Sequence, residues 1–175
     1  ILVILAAGRL EKQKDYPTLL FAFKIVSSQK NARLVIMGEG SELENLKKLS
    51  EDLLISKNVA FIGFQENPYK YMKRTSVFVL SSIHEGFARV LVEAMACGVP
   101  VITTDVTGVS RLVDKAHANL LTSANNPMLL ADRIACAEAH PGHAGDLQLP
   151  WQLERLHVAA DRAGRQRPAY LAGGA

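Results

Sequence analysis

Apolar residues fall in short, nearly unbroken runs, and the stretches between them carry apolar positions at helical spacing. "ILVIL" at the start of the chain is such a run, as expected of a strand buried on both faces. A polar loop follows from Gly8 to Asp15. Pro17 is expected as a first helical residue, ahead of "TLLFAFKIV" with helical spacing. "RLVIM" reads as the second strand, stopped by "GEG". Ser41 and Glu44 have capping-box spacing, which predicts a helix from there to about Leu54. "NVAFIGF" is the third strand and "NPYKYMKRT" a short helical segment. "VFVL" is the fourth strand, with "SSIHEGF" as its exit loop. "ARVLVEAMA" is a helix closed by Gly98, the residue type suited to the left-handed position after a helix. "VPVIT" is the fifth strand, "GVSRLV" a helical turn, "ANLLT" a weak sixth strand and "PMLLADRIACAEA" a final helix.

Strands alternating with helices imply an α/β fold with a parallel sheet. The expected class is a Rossmann-like, doubly wound sheet of about six strands in the order 3-2-1-4-5-6, with right-handed crossovers. Strands one and four are then neighbours where the winding reverses, and ligands bind beyond their carboxyl ends. The two loops that face this crevice are "GRLEKQKD", with Arg9, Lys12 and Lys14, and "SSIHEGF", with Glu85.

Composition changes this picture at one place. The 175 residues are 49% hydrophobic and 21% charged, ordinary for a globular chain. Beyond about Pro141 there is no Ile, Phe or Lys, and all ten lysines lie at or before Lys115. Residues 1–140 are therefore expected to form the ligand-binding domain. Residues 141–175 are expected to be an atypical tail holding at most one helix, about Leu149 to Arg162. A frameshift, a chimeric junction and a loosely ordered extension all remain open for it. The chain opens on a strand with no initiator Met or leader features, so it is expected to be a fragment of something longer. No apolar run reaches the ~20 residues that span a bilayer. Cys97 and Cys136 lack C-x-x-C spacing, which points to a reducing, cytoplasmic compartment. A peripheral position on the inner membrane face stays open for the full-length protein. The formal charge of +3 is too mild to imply nucleic acid.

The chemistry concentrates in "HEGFARVLVEAMACGVP". Glu85 and Glu93 interrupt an apolar stretch, and burying a carboxylate is costly unless something pairs with it. A helix begins just after Gly86, and a helix N-terminus favours an anion. Arg9 and Lys14 enter from the opposite rim, so the crevice suits a diphosphate. Glu85 beside a diphosphate would be repelled, so neutral hydroxyls are the better partner for it. An ion pair from Glu93 back to Arg89 has the weaker orientation and is worth only ~0.2–0.5 kcal/mol. A ribose diol is a stronger reason for that carboxylate. The histidines match no metal-ligand spacing, and the Gly38–Gly40 pair reads as a turn because it does not follow the first strand.

Taken together, "GRLEKQKDYPTLLFAF", "LVIMGEG", "VAFIGF" and "VFVLSSIHEGFARVLVEAMACGVPVITTD" resemble the donor-binding, C-terminal half of family-4 GT-B glycosyltransferases. The E-x7-E element from Glu85 to Glu93 is that family's hallmark, and the likeness covers Ile1 to about Ala139. The resemblance implies that Arg9 and Lys14 contact the donor diphosphate, and that Glu85 with the Gly86–Phe87 backbone holds the transferred sugar. Ala88 and Val90 complete that loop and helix start, Glu93 takes the ribose hydroxyls, and Gly63 and Phe64 border the base. It also implies a UDP- or GDP-linked hexose donor, no cofactor and no metal. Transfer would retain the anomeric configuration, with the leaving phosphate taking the acceptor's proton. Three positions depart from the family: Ala88 where Gly or Pro is usual, Arg111 where an acid is usual, and Ala118 near an expected Gly.

The function expected is the nucleotide-sugar-binding half of a retaining glycosyltransferase. A saccharide or lipid-linked acceptor would be held by an N-terminal domain outside this chain, and the chain alone would be inactive or nearly so. A GT-B sugar-nucleotide epimerase and a non-catalytic nucleotide-binding module are the alternatives. An uncharged residue at Glu85 or Lys14 would have favoured the module.

Overall fold

The computed structural model describes residues 1–109 and 121–137. Six parallel strands form one sheet in the order β3-β2-β1-β4-β5-β6. They are β1 (Leu2–Ala7), β2 (Ala32–Met37), β3 (Val59–Phe61), β4 (Val77–Leu80), β5 (Val101–Thr104) and β6 (Leu121–Thr122). The helices are α1 (Tyr16–Gln29), α2 (Leu43–Asp52), α3 (Tyr69–Met72), α4 (Arg89–Ala96) and α5 (Pro127–Ala137). The order is the one the alternating pattern predicts. β1 pairs with β2 along its whole length, Leu2 opposite Ala32 through Ala7 opposite Met37. On its other side Ile4 and Leu5 face Val77 and Phe78 of β4.

The unbroken apolar runs serve two cores, one on each face of the sheet. Leu2, Ile4 and Ala6 of β1 and Val77 and Val79 of β4 pack with Leu19, Leu20, Phe23 and Val26 of α1 and with Leu130 and Ile134 of α5. Val3, Leu5 and Ala7, with Phe78 and Leu80, point the other way against Met72, Leu91 and Ala94. Successive side chains of a strand alternate faces, so a strand buried on both sides must be apolar at every position. This arrangement leaves the carboxyl ends of β1 and β4 side by side.

Helix ends differ from expectation in two places. Pro17 is the second residue of α1, because the helix starts at Tyr16 with Asp15 as its cap, accepting from Thr18 N at 3.4 Å. The Ser41–Glu44 capping box does not form. α2 begins at Leu43, Ser41 Oγ donates to Glu11 Oε2 at 3.1 Å, and Glu44 pairs with Lys47 at 2.9 Å. The competing force is the β1 exit loop: Leu10 N donates to Glu39 O and Glu42 N donates to Leu10 O, which holds the "GEG" turn out of helical geometry. Gly38 has φ of 132°, and a Cβ there would lie 1.9 Å from the Gly8 carbonyl oxygen. The glycines of this turn thus let β2's exit lie against β1's exit. α4 ends as expected, with Gly98 at φ 73° and its N–H on Met95 O.

The expected strand "NVAFIGF" is a strand only over Val59–Phe61, and "ANLLT" is a strand over Leu121–Thr122, its first three residues lying outside the described residues. The 141–175 tail, Arg111 and Ala118 lie outside the described residues, as does most of "GVSRLV". Among the described residues no helix is long and apolar enough to cross a membrane.

Candidate active site

The exit loops of β1 and β4 are stitched together by backbone and side chain. Ile83 N donates to Gln13 O at 2.8 Å, and Ser81 Oγ donates to Lys14 O at 2.9 Å. These bonds fix the base of the Lys14 side chain opposite Glu85. Lys14 Nζ then lies 2.5 Å from Glu85 Oε1, with the carboxylate 7% exposed and the lysine side chain 13%. A second donor, Ser82 Oγ, reaches the same Oε1 at 2.6 Å. Ser82 is fully buried, and its carbonyl accepts from Thr104 Oγ1 at 2.5 Å. The buried carboxylate is therefore stabilised by one cation and one hydroxyl, as burial requires.

Tyr16 closes the floor of this arrangement. Its hydroxyl donates to the Gly8 carbonyl at 3.2 Å. Burial, reinforced by the Glu85 carboxylate, pushes the phenol well above its usual range, so it remains a neutral donor. From the other side Gly108 packs on the Glu85 loop, where a Cβ would fall 2.3 Å from Glu85 O.

The remaining expected site residues sit as follows. Arg9 lies on the β1 exit loop and is exposed, with no ion pair among the described residues. Gly86 and Phe87 are exposed at the start of α4, and a Cβ on Gly86 would meet nothing within 4 Å. Ala88 is buried at φ −79° and ψ 66°, the centre of an inverse γ-turn closed by Arg89 N on Phe87 O at 2.9 Å, and Val90 is half-buried in the first turn of α4. Glu93 is half-buried on α4, and its Oε1 is 3.7 Å from Arg89 Nε, whose side chain is 83% exposed. That distance is too long for a hydrogen bond, and the pair adds little. Gly63 follows β3 and its carbonyl accepts from Gly38 N, while Phe64 is 69% exposed beside it. The structure thus joins Lys14 to Glu85 directly, and among the described residues Arg9, Glu93 and Phe64 make no hydrogen bond or ion pair with that pair.

Four residues were missed from sequence: Ser82, Thr104, Tyr16 and Gly108. Ser82 carried a readable signal, since a small hydroxyl residue three positions before Glu85 can reach back to its carboxylate. Thr104 and Gly108 carried none, because which residues of β5 and the segment after it reach the Glu85 loop depends on strand register and not on strand order.

The family described as glycosyl transferases group 1 matches residues 2–148. The N-acetylgalactosamine-N,N'-diacetylbacillosaminyl-diphospho-undecaprenol 4-alpha-N-acetylgalactosaminyltransferase of Campylobacter jejuni is 36% identical over 124 residues, 70% of this chain and 33% of that protein. The capsular polysaccharide biosynthesis glycosyltransferase CapM of Staphylococcus aureus is 33% identical over 135 residues, 75% of this chain and 35% of its own. The chain spans about a third of the length of such curated relatives. Among solved structures, Staphylococcus aureus TarM, in complex with UDP and saccharide ligands, superposes with a TM-score of 0.74 at 22% identity, covering 91% of this chain and 31% of TarM. Anabaena HepE in complex with UDP superposes at 0.72 and 25% identity, covering 91% and 44%. The sheet order and the match across most of its length agree: the chain belongs to the glycosyl transferases group 1 family and has the Rossmann-like fold of GT-B glycosyltransferase domains.

Proposed function

We propose that the chain is the donor-binding domain of a retaining glycosyltransferase that takes a nucleoside diphosphate sugar, with residues 1–140 as the working unit. The observation that carries this reading is the Lys14–Glu85 pair at the β1/β4 switch point. The pair sets one cation and one buried acceptor at the position where an open α/β sheet binds its ligand. Arg9 and Lys14 hold the diphosphate, the exposed Gly86–Phe87 backbone and Glu85 hold the sugar, and Glu93 takes the ribose. Gly63 and Phe64 border the base, where the exposed ring of Phe64 offers a stacking surface. That HepE was solved with UDP and with UDP-glucose supports a uridine donor, with a GDP-sugar as the other option.

In the proposed reaction the glycosidic C–O bond to the diphosphate breaks. The departing phosphate oxygen, stabilised by Arg9 and Lys14, accepts the proton of the acceptor hydroxyl, whose oxygen forms the new C–O bond to the anomeric carbon on the face the phosphate leaves. No metal takes part in this scheme, because the two cations neutralise the leaving group. The acceptor, a saccharide or a lipid-linked saccharide, is bound by a further domain. The location proposed is cytoplasmic.

Calorimetric titration of the chain with UDP, GDP and UMP, each with Mg²⁺ and with EDTA, tests the reading. A nucleoside diphosphate should bind and raise the melting temperature by mass action, UMP much less, and EDTA should change neither. Equal binding of UMP and UDP would remove the diphosphate clamp. A strict need for Mg²⁺ would remove the metal-free scheme.

A further inference from the structure

Among the described residues both side-chain hydrogen bonds that Glu85 receives fall on Oε1, and they come from unlike donors. Lys14 sits on a long, flexible stem from the facing loop, and in the function proposed above it turns to the diphosphate. Ser82 has a single side-chain torsion and is fully buried, and its carbonyl is held by Thr104 Oγ1. When Lys14 leaves, a buried carboxylate loses the cation that pairs with it among the described residues. Such a group swings out towards water, or follows the lysine, unless another donor keeps it.

We propose that Ser82 is a positioning residue that holds Glu85 Oε1 after Lys14 has moved to the phosphate, with Thr104 anchoring Ser82 from β5. Its hydroxyl–carboxylate bond is charge-assisted and short, and so stronger than a neutral one. It keeps the carboxylate in one orientation, with Oε2, which carries no hydrogen bond among the described residues, left as the acceptor for a sugar hydroxyl. This role rests on the donor-binding reading. It adds that the carboxylate's place is set by β4 and β5 rather than by its ion pair.

Two measurements on the whole chain decide it. The first is titration of Ser82→Ala, Ser82→Thr and Thr104→Val with UDP and UDP-glucose, and with GDP and GDP-mannose. Ser82→Ala should lower the ratio of sugar-nucleotide to nucleoside diphosphate affinity by about tenfold, the value of a hydrogen bond to a charged group. Nucleoside diphosphate affinity should stay within about twofold, since Ser82 is fully buried and its hydroxyl is spent on Glu85, not on the proposed diphosphate cations. Ser82→Thr restores the hydroxyl and should restore the ratio; Thr104→Val should give a smaller loss in the same direction. The second is the crystal structure of Lys14→Met and of Lys14→Met/Ser82→Ala, grown without nucleotide. Glu85 should remain on Ser82 in the first and leave its position in the second. An unchanged ratio in Ser82→Ala, or a Glu85 that abandons Ser82 in Lys14→Met, overturns the inference. If the unaltered chain binds no nucleoside diphosphate at all, the donor-binding reading falls, and the two Lys14 crystal structures still decide what Ser82 does.

Discussion

Lys14 and Glu85, 71 positions apart in sequence, meet at 2.5 Å across the switch point of the sheet, and each is largely shielded from water. A pair of this kind is not worth its Coulomb energy, because both charges lost hydration to form it. Removing one partner is another matter, since it strands the other charge. Lys14→Met should cost ~3 kcal/mol of stability, near the lower end for broken buried pairs because Ser82 still serves the carboxylate. The double variant Lys14→Met/Glu85→Leu should recover most of that loss. Urea denaturation of the four proteins in the cycle measures it. Strict additivity of the two single changes would show the pair to be uncoupled.

Gly86 and Gly108 lie on either side of the Glu85 backbone, and they answer to different constraints. A methyl group on Gly86 has open space around it, whereas one on Gly108 would strike Glu85 O at 2.3 Å and Gly86 O at 2.8 Å. Gly86→Ala should therefore change stability by less than about 0.5 kcal/mol, as surface changes do. Its effect should appear in weaker binding of nucleotide sugars, because a Cβ there keeps the ligand off the backbone. Gly108→Ala should cost about 2 kcal/mol or more by forcing the Glu85 loop away. Thermal melts with and without nucleotide separate the two. If Gly86→Ala is the more destabilising, the glycine serves the loop and not the ligand.

The strand order and the two loops that meet were legible from pattern, because short apolar runs rich in Val and Ile and bounded by turn residues read as doubly covered strands, and such strands leave few topologies. Glu85 and Lys14 followed from that order. What the pattern could not carry was anything set by contacts between elements far apart in sequence. The capping box at Ser41 failed because Glu11, some thirty residues upstream, took the Ser41 hydroxyl while Leu10 held the turn around Glu39 and Glu42. Ser82 had a local signal towards Glu85, but nothing in the sequence tied its carbonyl to Thr104 on another strand. Glu93 illustrates the reverse case. The pairing with Arg89 that sequence spacing offered is present, but at 3.7 Å and with an exposed arginine it does not account for the carboxylate.

Tyr16 gives the site a pH signature. Its proton is held more tightly in the folded chain than in the unfolded one, where a phenol titrates near about 10. The folded state then binds more protons above that pH, so stability falls as pH rises, and the contribution is whole below about pH 10. Tyr16→Phe should cost ~1 kcal/mol at pH 7, for the lost bond to Gly8 O. It should flatten the decline of stability between about pH 10 and 11.5, narrowing or reversing the gap to the unaltered chain. Denaturation midpoints of both proteins at neutral and alkaline pH measure this. Parallel curves would mean that the phenol titrates alike in both states.

The two glutamates of the E-x7-E element should separate in function as they do in environment. Glu93 is half-buried on a helix with only a distant arginine beside it, whereas Glu85 is buried and doubly bonded in the exit loop. If Glu93 serves the ribose, Glu93→Gln weakens nucleoside diphosphate and nucleotide sugar alike, since both contain it. The expected loss is ~1–3 kcal/mol for a charged acceptor replaced by a neutral one. Glu85→Gln should leave nucleoside diphosphate binding intact or tighten it, because the change removes a negative charge beside the phosphates and releases Lys14 to them. The same variant should lose the extra affinity conferred by the sugar. Calorimetric titration of both variants with both ligand types gives four numbers. Loss of nucleotide binding in Glu85→Gln with Glu93→Gln unaffected would reverse the assignment. No change in either variant, in a chain that still folds, would leave both carboxylates with a structural role and return the sugar site to the exposed backbone at Gly86 and Phe87.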